Sequence, residues 1–80
     1  MNNMWAEETK YESRFINRFS TESGLDLVID WCQVVAIQKQ NFQVNIHLKN
    51  GECLKVQAIN YEQVREYFEV LYTQWQAIFN

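Results

Sequence analysis

Two spacings of apolar residues divide this chain. From Phe42 onward Val44, Ile46 and Leu48 alternate with Gln43, Asn45 and His47, and Leu54, Val56 and Ala58 alternate with Cys53, Lys55 and Gln57. Alternation with a period of two marks strands with one face buried. Leu25, Leu27, Ile29 and Trp31 keep the same rhythm, and Val35 and Ile37 continue it in the same odd parity. The segment 25–39 therefore reads as one long bent strand, or as two strands broken near "DWCQ". Residues 10–19 also alternate through Tyr11, Ser13, Phe15, Asn17 and Phe19, which predicts a strand, with a short helix as the alternative. After Asn60 the period changes to 3.6. Asn60 and Gln63 have the spacing of a capping pair. From there Tyr61, Val64, Tyr67, Phe68, Leu71, Tyr72, Trp75, Ile78 and Phe79 fall within an arc of about 140°. Only Val70 and Ala77 break that amphipathic pattern.

The alternation also fixes how strands pair, because a slip of one residue turns every side chain to the other face. A two-residue turn at Asn50-Gly51 would set Leu48 against Cys53 and Ile46 against Lys55. A three-residue loop, Lys49-Asn50-Gly51, instead sets Ile46 opposite Leu54, Val44 opposite Val56 and Phe42 opposite Ala58. It also places Gly51 third in the loop, where a left-handed residue follows a type I turn. The three-residue loop satisfies both demands, and it makes His47 and Cys53 cross-strand neighbours. For the preceding hairpin the same reasoning predicts a two-residue loop at Gln40-Asn41, pairing Ile37 with Val44 and Val35 with Ile46.

These elements predict an α+β fold: an antiparallel β-meander of four to five strands with one long C-terminal amphipathic helix packed on one face. The pattern resembles the second half of a pleckstrin-homology-like domain, or small bacterial modules of one sheet and one helix. The expected organisation is a single domain over 1–80, with a flexible tail at 1–9, strands over 10–59 and the helix over 60–79. Trp5 is either a further anchor or part of that tail.

Composition narrows the function more than it names it. Apolar residues make up 48% of the 80 positions and aromatics 15%, ample surface for a core in a chain this short. The net charge of −3 is mild, and no basic stripe exists to neutralise several phosphates, so nucleic-acid and anionic-membrane binding are disfavoured. No stretch has the length of a signal sequence or membrane span. The expected location is the cytoplasm, with Cys32 and Cys53 as reduced thiols.

His47 beside Cys53 is the strongest chemical candidate, since an imidazole can lower a thiol pKa. A hairpin face offers no evident oxyanion hole or third positioned group, however. As a metal site the pair supplies two ligands where structural zinc wants four. Cys32 would be a third only if the fold brought it round. Asp26 and Asp30 share a strand face but lie about 13 Å apart, too far to share a proton. The expectation is therefore a non-enzymatic protein without cofactor or metal. Its expected role is protein–protein interaction or accessory work, as a homodimer or with another protein. The candidate interface is the helix flank carrying Tyr61, Tyr67, Tyr72, Trp75 and Phe79, or an exposed sheet edge. A thiol- or metal-dependent protein using His47 and Cys53 is the alternative.

Overall fold

The computed structural model describes residues 15–78, and residues 4–7 as backbone. It is an α+β fold of two three-stranded antiparallel sheets followed by one helix. The first sheet runs in the order β1 (Met4–Glu7), β2 (Ile16–Thr21), β3 (Asp26–Asp30), and the second β4 (Val34–Gln40), β5 (Gln43–Leu48), β6 (Cys53–Gln57). Helix α1 spans Tyr61–Ile78 and packs against β1, β4 and β5. Each sheet pairs its strands in chain order, antiparallel throughout. The strands number six among the described residues; the one beyond the expected four to five is β1, which falls where a flexible tail was expected. The side chain of Trp5 is outside the described residues.

Residues 16–21 form a strand, not a helix, extending two residues past the expected end; positions 10–14 lie outside the described residues. Of the two readings of 25–39, the broken one is right. The break is a single 3-10 turn, Trp31–Gln33, capped where the Asp30 carboxylate accepts the Cys32 N–H at 3.0 Å. At this corner the chain leaves the first sheet for the second. The Trp31 N–H donates to the Phe15 carbonyl (2.8 Å), and the Gln33 carbonyl accepts from the Lys49 N–H (2.8 Å), so the corner is tied to both sheets.

The β5–β6 hairpin has the expected register: Val44 opposite Val56, Ile46 opposite Leu54, His47 opposite Cys53. Its loop is Lys49-Asn50-Gly51, closed by Gly51 N–H to Leu48 O (3.0 Å) and Leu48 N–H to Glu52 O (2.9 Å), with φ of +91° at Gly51. The β2–β3 hairpin repeats this construction. Gly24 N–H donates to Thr21 O and Thr21 N–H to Leu25 O, both at 3.0 Å, and φ is +98° at Gly24. A Cβ at Gly51 would meet no heavy atom within 4 Å, so the cost of Gly51→Ala is backbone strain alone. Urea unfolding is expected to show a loss of about 1–2 kcal/mol, and Gly51→Asn a smaller one, because asparagine visits positive φ more readily.

The β4–β5 hairpin departs from its expected register by two residues. Ile37 faces Ile46 and Lys39 faces Val44, around a loop at Asn41-Phe42 with Asn41 at φ +53°. A two-residue shift leaves each side chain on its original face, so the apolar pattern does not oppose it. Turn chemistry decides instead: asparagine tolerates the left-handed conformation. A bulge between Val34 and Ala36 supplies a second correction. It buries Val34 (6% exposed) and turns Val35 outward (54%), against the odd-parity expectation.

One core joins the two sheets and the helix: Phe19 and Ile29 from the first sheet, Val44, Ile46 and Val56 from the second, Val64, Tyr67 and Leu71 from the helix. Trp31 lies between them, fully buried. Its ring meets Phe19 edge-on (6.0 Å between centroids) and stacks on Trp75 (6.3 Å, 14° between planes). Its indole N–H donates to the Asn17 side-chain oxygen at 2.7 Å. Among the described residues no helix is long and apolar enough to cross a membrane.

Candidate interaction surface

The helix begins as its sequence dictates. Asn60 accepts the Gln63 N–H (2.8 Å) through its side-chain oxygen, and the Gln63 side chain reaches back to the Ile59 N–H (2.8 Å). The first satisfies a donor left open in the first turn, and the second ties the residue before the cap to the helix. They also fix the rotation of α1, and with it the side each aromatic residue presents.

The five candidate interface residues separate under that rotation. Tyr67 is 1% exposed and belongs to the core, so it is not a contact residue. The expected arc counted its ring on a flank, whereas two sheets wrap the helix more fully than one would. Thr21 at the end of β2 and Ser23 in the β2–β3 loop lie beside its hydroxyl. Burial pushes the phenol above its ordinary value of 10.0, partly offset by those hydroxyls and reinforced by the nearby Glu66 and Glu22 carboxylates. Trp75 is half-buried against Trp31. Phe79 lies outside the described residues. Tyr61 and Tyr72 are exposed, at 67% and 43%.

Tyr61 has a partner that the sequence pattern had placed elsewhere. Phe42 counted as the first inward residue of β5, opposite Ala58. The backbone part holds, since the Ala58 N–H donates to the Phe42 carbonyl at 2.7 Å. The side chain, at the β4–β5 loop, is 40% exposed and meets the Tyr61 ring at 4.8 Å. Ile59, two residues before Tyr61, is 71% exposed. About two turns further along the helix Phe68 stacks on Tyr72 (6.2 Å, 7° between planes). The Lys39 ammonium lies 5.6 Å above the Phe68 ring, a cation–π contact that holds its stem across the helix. Lys39, Asn41, Tyr61, Val64 and Arg65 line an open depression of about 270 Å³. The signal that could have found this surface was Asn41: once the turn is centred there, Phe42 becomes a loop residue.

The other candidate chemistry is used locally. His47 and Cys53 face each other in register, but the His47 Nε2 lies 3.3 Å from the Gln38 side-chain oxygen and the Cys53 thiol points at the Leu54 carbonyl (3.8 Å). Cys32 is exposed in the corner turn, and the described residues hold no group of three or more metal-ligating side chains. Asp30 caps that turn. Asp26 forms a two-pronged ion pair with Arg18 (2.9 and 2.6 Å) and also accepts from Ser20 at 3.2 Å. The Arg18 hydrogen bonds hold the Asp26 carboxyl below its usual value. Both carboxylates are accounted for by the hairpin and corner they stabilise.

Comparisons with protein-family models, with curated proteins and with solved structures found no match.

Proposed function

We propose that this chain is a small non-enzymatic module for protein–protein interaction, or an accessory subunit, that docks through the aromatic edge at the start of α1. The observation that carries this reading is the exposed Phe42–Tyr61 pair, continued along the helix by Phe68 and Tyr72. Tyrosine and phenylalanine are enriched at interfaces because they cover large areas with few rotatable bonds. Here the two rings come from different elements and support each other, so little side-chain entropy remains to be lost on docking. The partner is another protein chain, a second copy included, and the expected setting is the cytoplasm.

Sedimentation of the purified chain over a range of concentrations, together with affinity capture on the immobilised chain, tests the reading. Self-association or capture is expected to weaken at least roughly tenfold in Phe42→Ala and Tyr61→Ala, the loss typical of a central aromatic contact. Both side chains are exposed, so the variants are expected to keep the circular dichroism of the parent. A chain that stays monomeric and captures the same proteins after both substitutions would falsify the proposal.

A further inference from the structure

We infer that the depression beside the aromatic pair receives an acidic, extended segment of a partner protein. The inference rests on the interaction reading above and names the partner's chemistry. Two cations, Lys39 and Arg65, line the depression together with the Asn41 amide and the Tyr61 ring, and among the described residues no carboxylate does. The lining is cationic on a chain whose net charge is −3, while Glu62, Glu66 and Glu69 flank Arg65 on its other side. Neither cation makes an ion pair among the described residues; Lys39 rests over the Phe68 ring. Charges within a Debye length of about 8–10 Å act on a docked segment, while more distant ones are largely screened.

The site favours carboxylates over a phosphate group. A phosphate cradle uses a glycine loop or the open N–H groups of a helix N-terminus. Here one of the first-turn donors, the Gln63 N–H, is taken by Asn60, and the adjacent loop carries Asn41 and Phe42 in place of glycines. The two separated cationic side chains suit carboxylates spaced along a peptide. The Phe42–Tyr61 pair beside them offers a seat for an apolar neighbour. A second copy fits less well. Glu62, Glu66 and Glu69 lie with Arg65 on the outer side of the helix, and a two-fold pairing along α1 would set these carboxylates against their own copies. An acidic segment must therefore approach from the β4–β5 loop, away from them.

Selection of a random peptide library, roughly twelve residues long, on the immobilised full chain tests the inference. Selected peptides are expected to carry Asp or Glu beside an apolar residue. Their affinity should fall roughly tenfold in Lys39→Glu and in Arg65→Glu, and should weaken as salt is raised from about 50 to about 300 mM. Arg65→Lys is expected to retain most of the binding. Each variant is first checked for an unchanged thermal transition. Selected peptides without acidic residues, or with affinities indifferent to both charge reversals, overturn the acidic segment and leave the interaction reading standing. A dimer that Tyr61→Ala dissolves, and that the selected peptides do not disturb, overturns it in favour of a second copy. A monomeric chain that selects nothing overturns both.

Discussion

Replacing Trp31 by alanine is expected to lower the unfolding free energy by about 3–5 kcal/mol, the usual cost of deleting a large buried aromatic ring. A domain of this length has on the order of 4–12 kcal/mol in total, so the variant stands at the edge of unfolding at room temperature. The position is costly for three separate reasons. The ring fills the space between β2 and α1, edge-on to Phe19 and stacked on Trp75. The surrounding core draws on both sheets and cannot collapse from one side alone. The indole N–H also donates to the half-buried Asn17 oxygen, which would lose that bond. Urea unfolding followed by circular dichroism should show a lower midpoint with an unchanged slope. Trp31→Phe separates the contributions, because it keeps a ring in the cavity and removes the N–H. Its loss should be clearly smaller than that of the alanine variant, and Asn17→Leu should recover part of it by removing the unpaired oxygen. If Trp31→Ala unfolded at the parental urea concentration, the corner would not be the link between the sheets and the helix.

The legible parts of this fold were those where two independent signals met. The β5–β6 register followed from alternation and from Gly51 together, each excluding what the other allowed. The helix start followed from Asn60 and Gln63 as well as from the change of period. Where one signal stood alone, the outcome was ambiguous or displaced. Alternation cannot distinguish registers two residues apart, so the β4–β5 loop was placed one residue early and Phe42 was counted as core. The bulge at Val35 left no trace, because Val34 and Val35 are both aliphatic and either could face inward. Strand β1 is four residues long, too short for alternation to mark it in the sequence. The candidate surface was legible to the level of an aromatic helix flank. Which rings on that flank remain exposed depends on how far a second sheet wraps the helix. That is why Tyr61 and Tyr67, both on the same arc, end at 67% and 1% exposure.

Tyr67 carries the second large expected effect. Tyr67→Ala should cost about 3–5 kcal/mol, close to the effect of removing Trp31, since the ring is among the largest fully buried side chains. Tyr67→Phe keeps the ring and removes only the hydroxyl. Thr21 and Ser23 can still bond each other, their oxygens being 2.9 Å apart, so the loss should be about 0.5–1.5 kcal/mol. The same hydroxyl makes stability depend on alkaline pH with a definite sign. Burial raises the phenol pKa in the folded chain above the 10.0 of an unfolded one. Below pH 10 both states hold the proton and the contribution is fully present. Above it the unfolded chain ionises first, and the contribution is lost as pH rises through the higher folded value. Urea midpoints measured through this range should therefore fall more steeply for the parent than for Tyr67→Phe, and the two curves should converge or cross. Parallel curves would mean that the Tyr67 hydroxyl is as well solvated in the fold as outside it. The link from α1 to the β2–β3 loop would then rest on the ring alone.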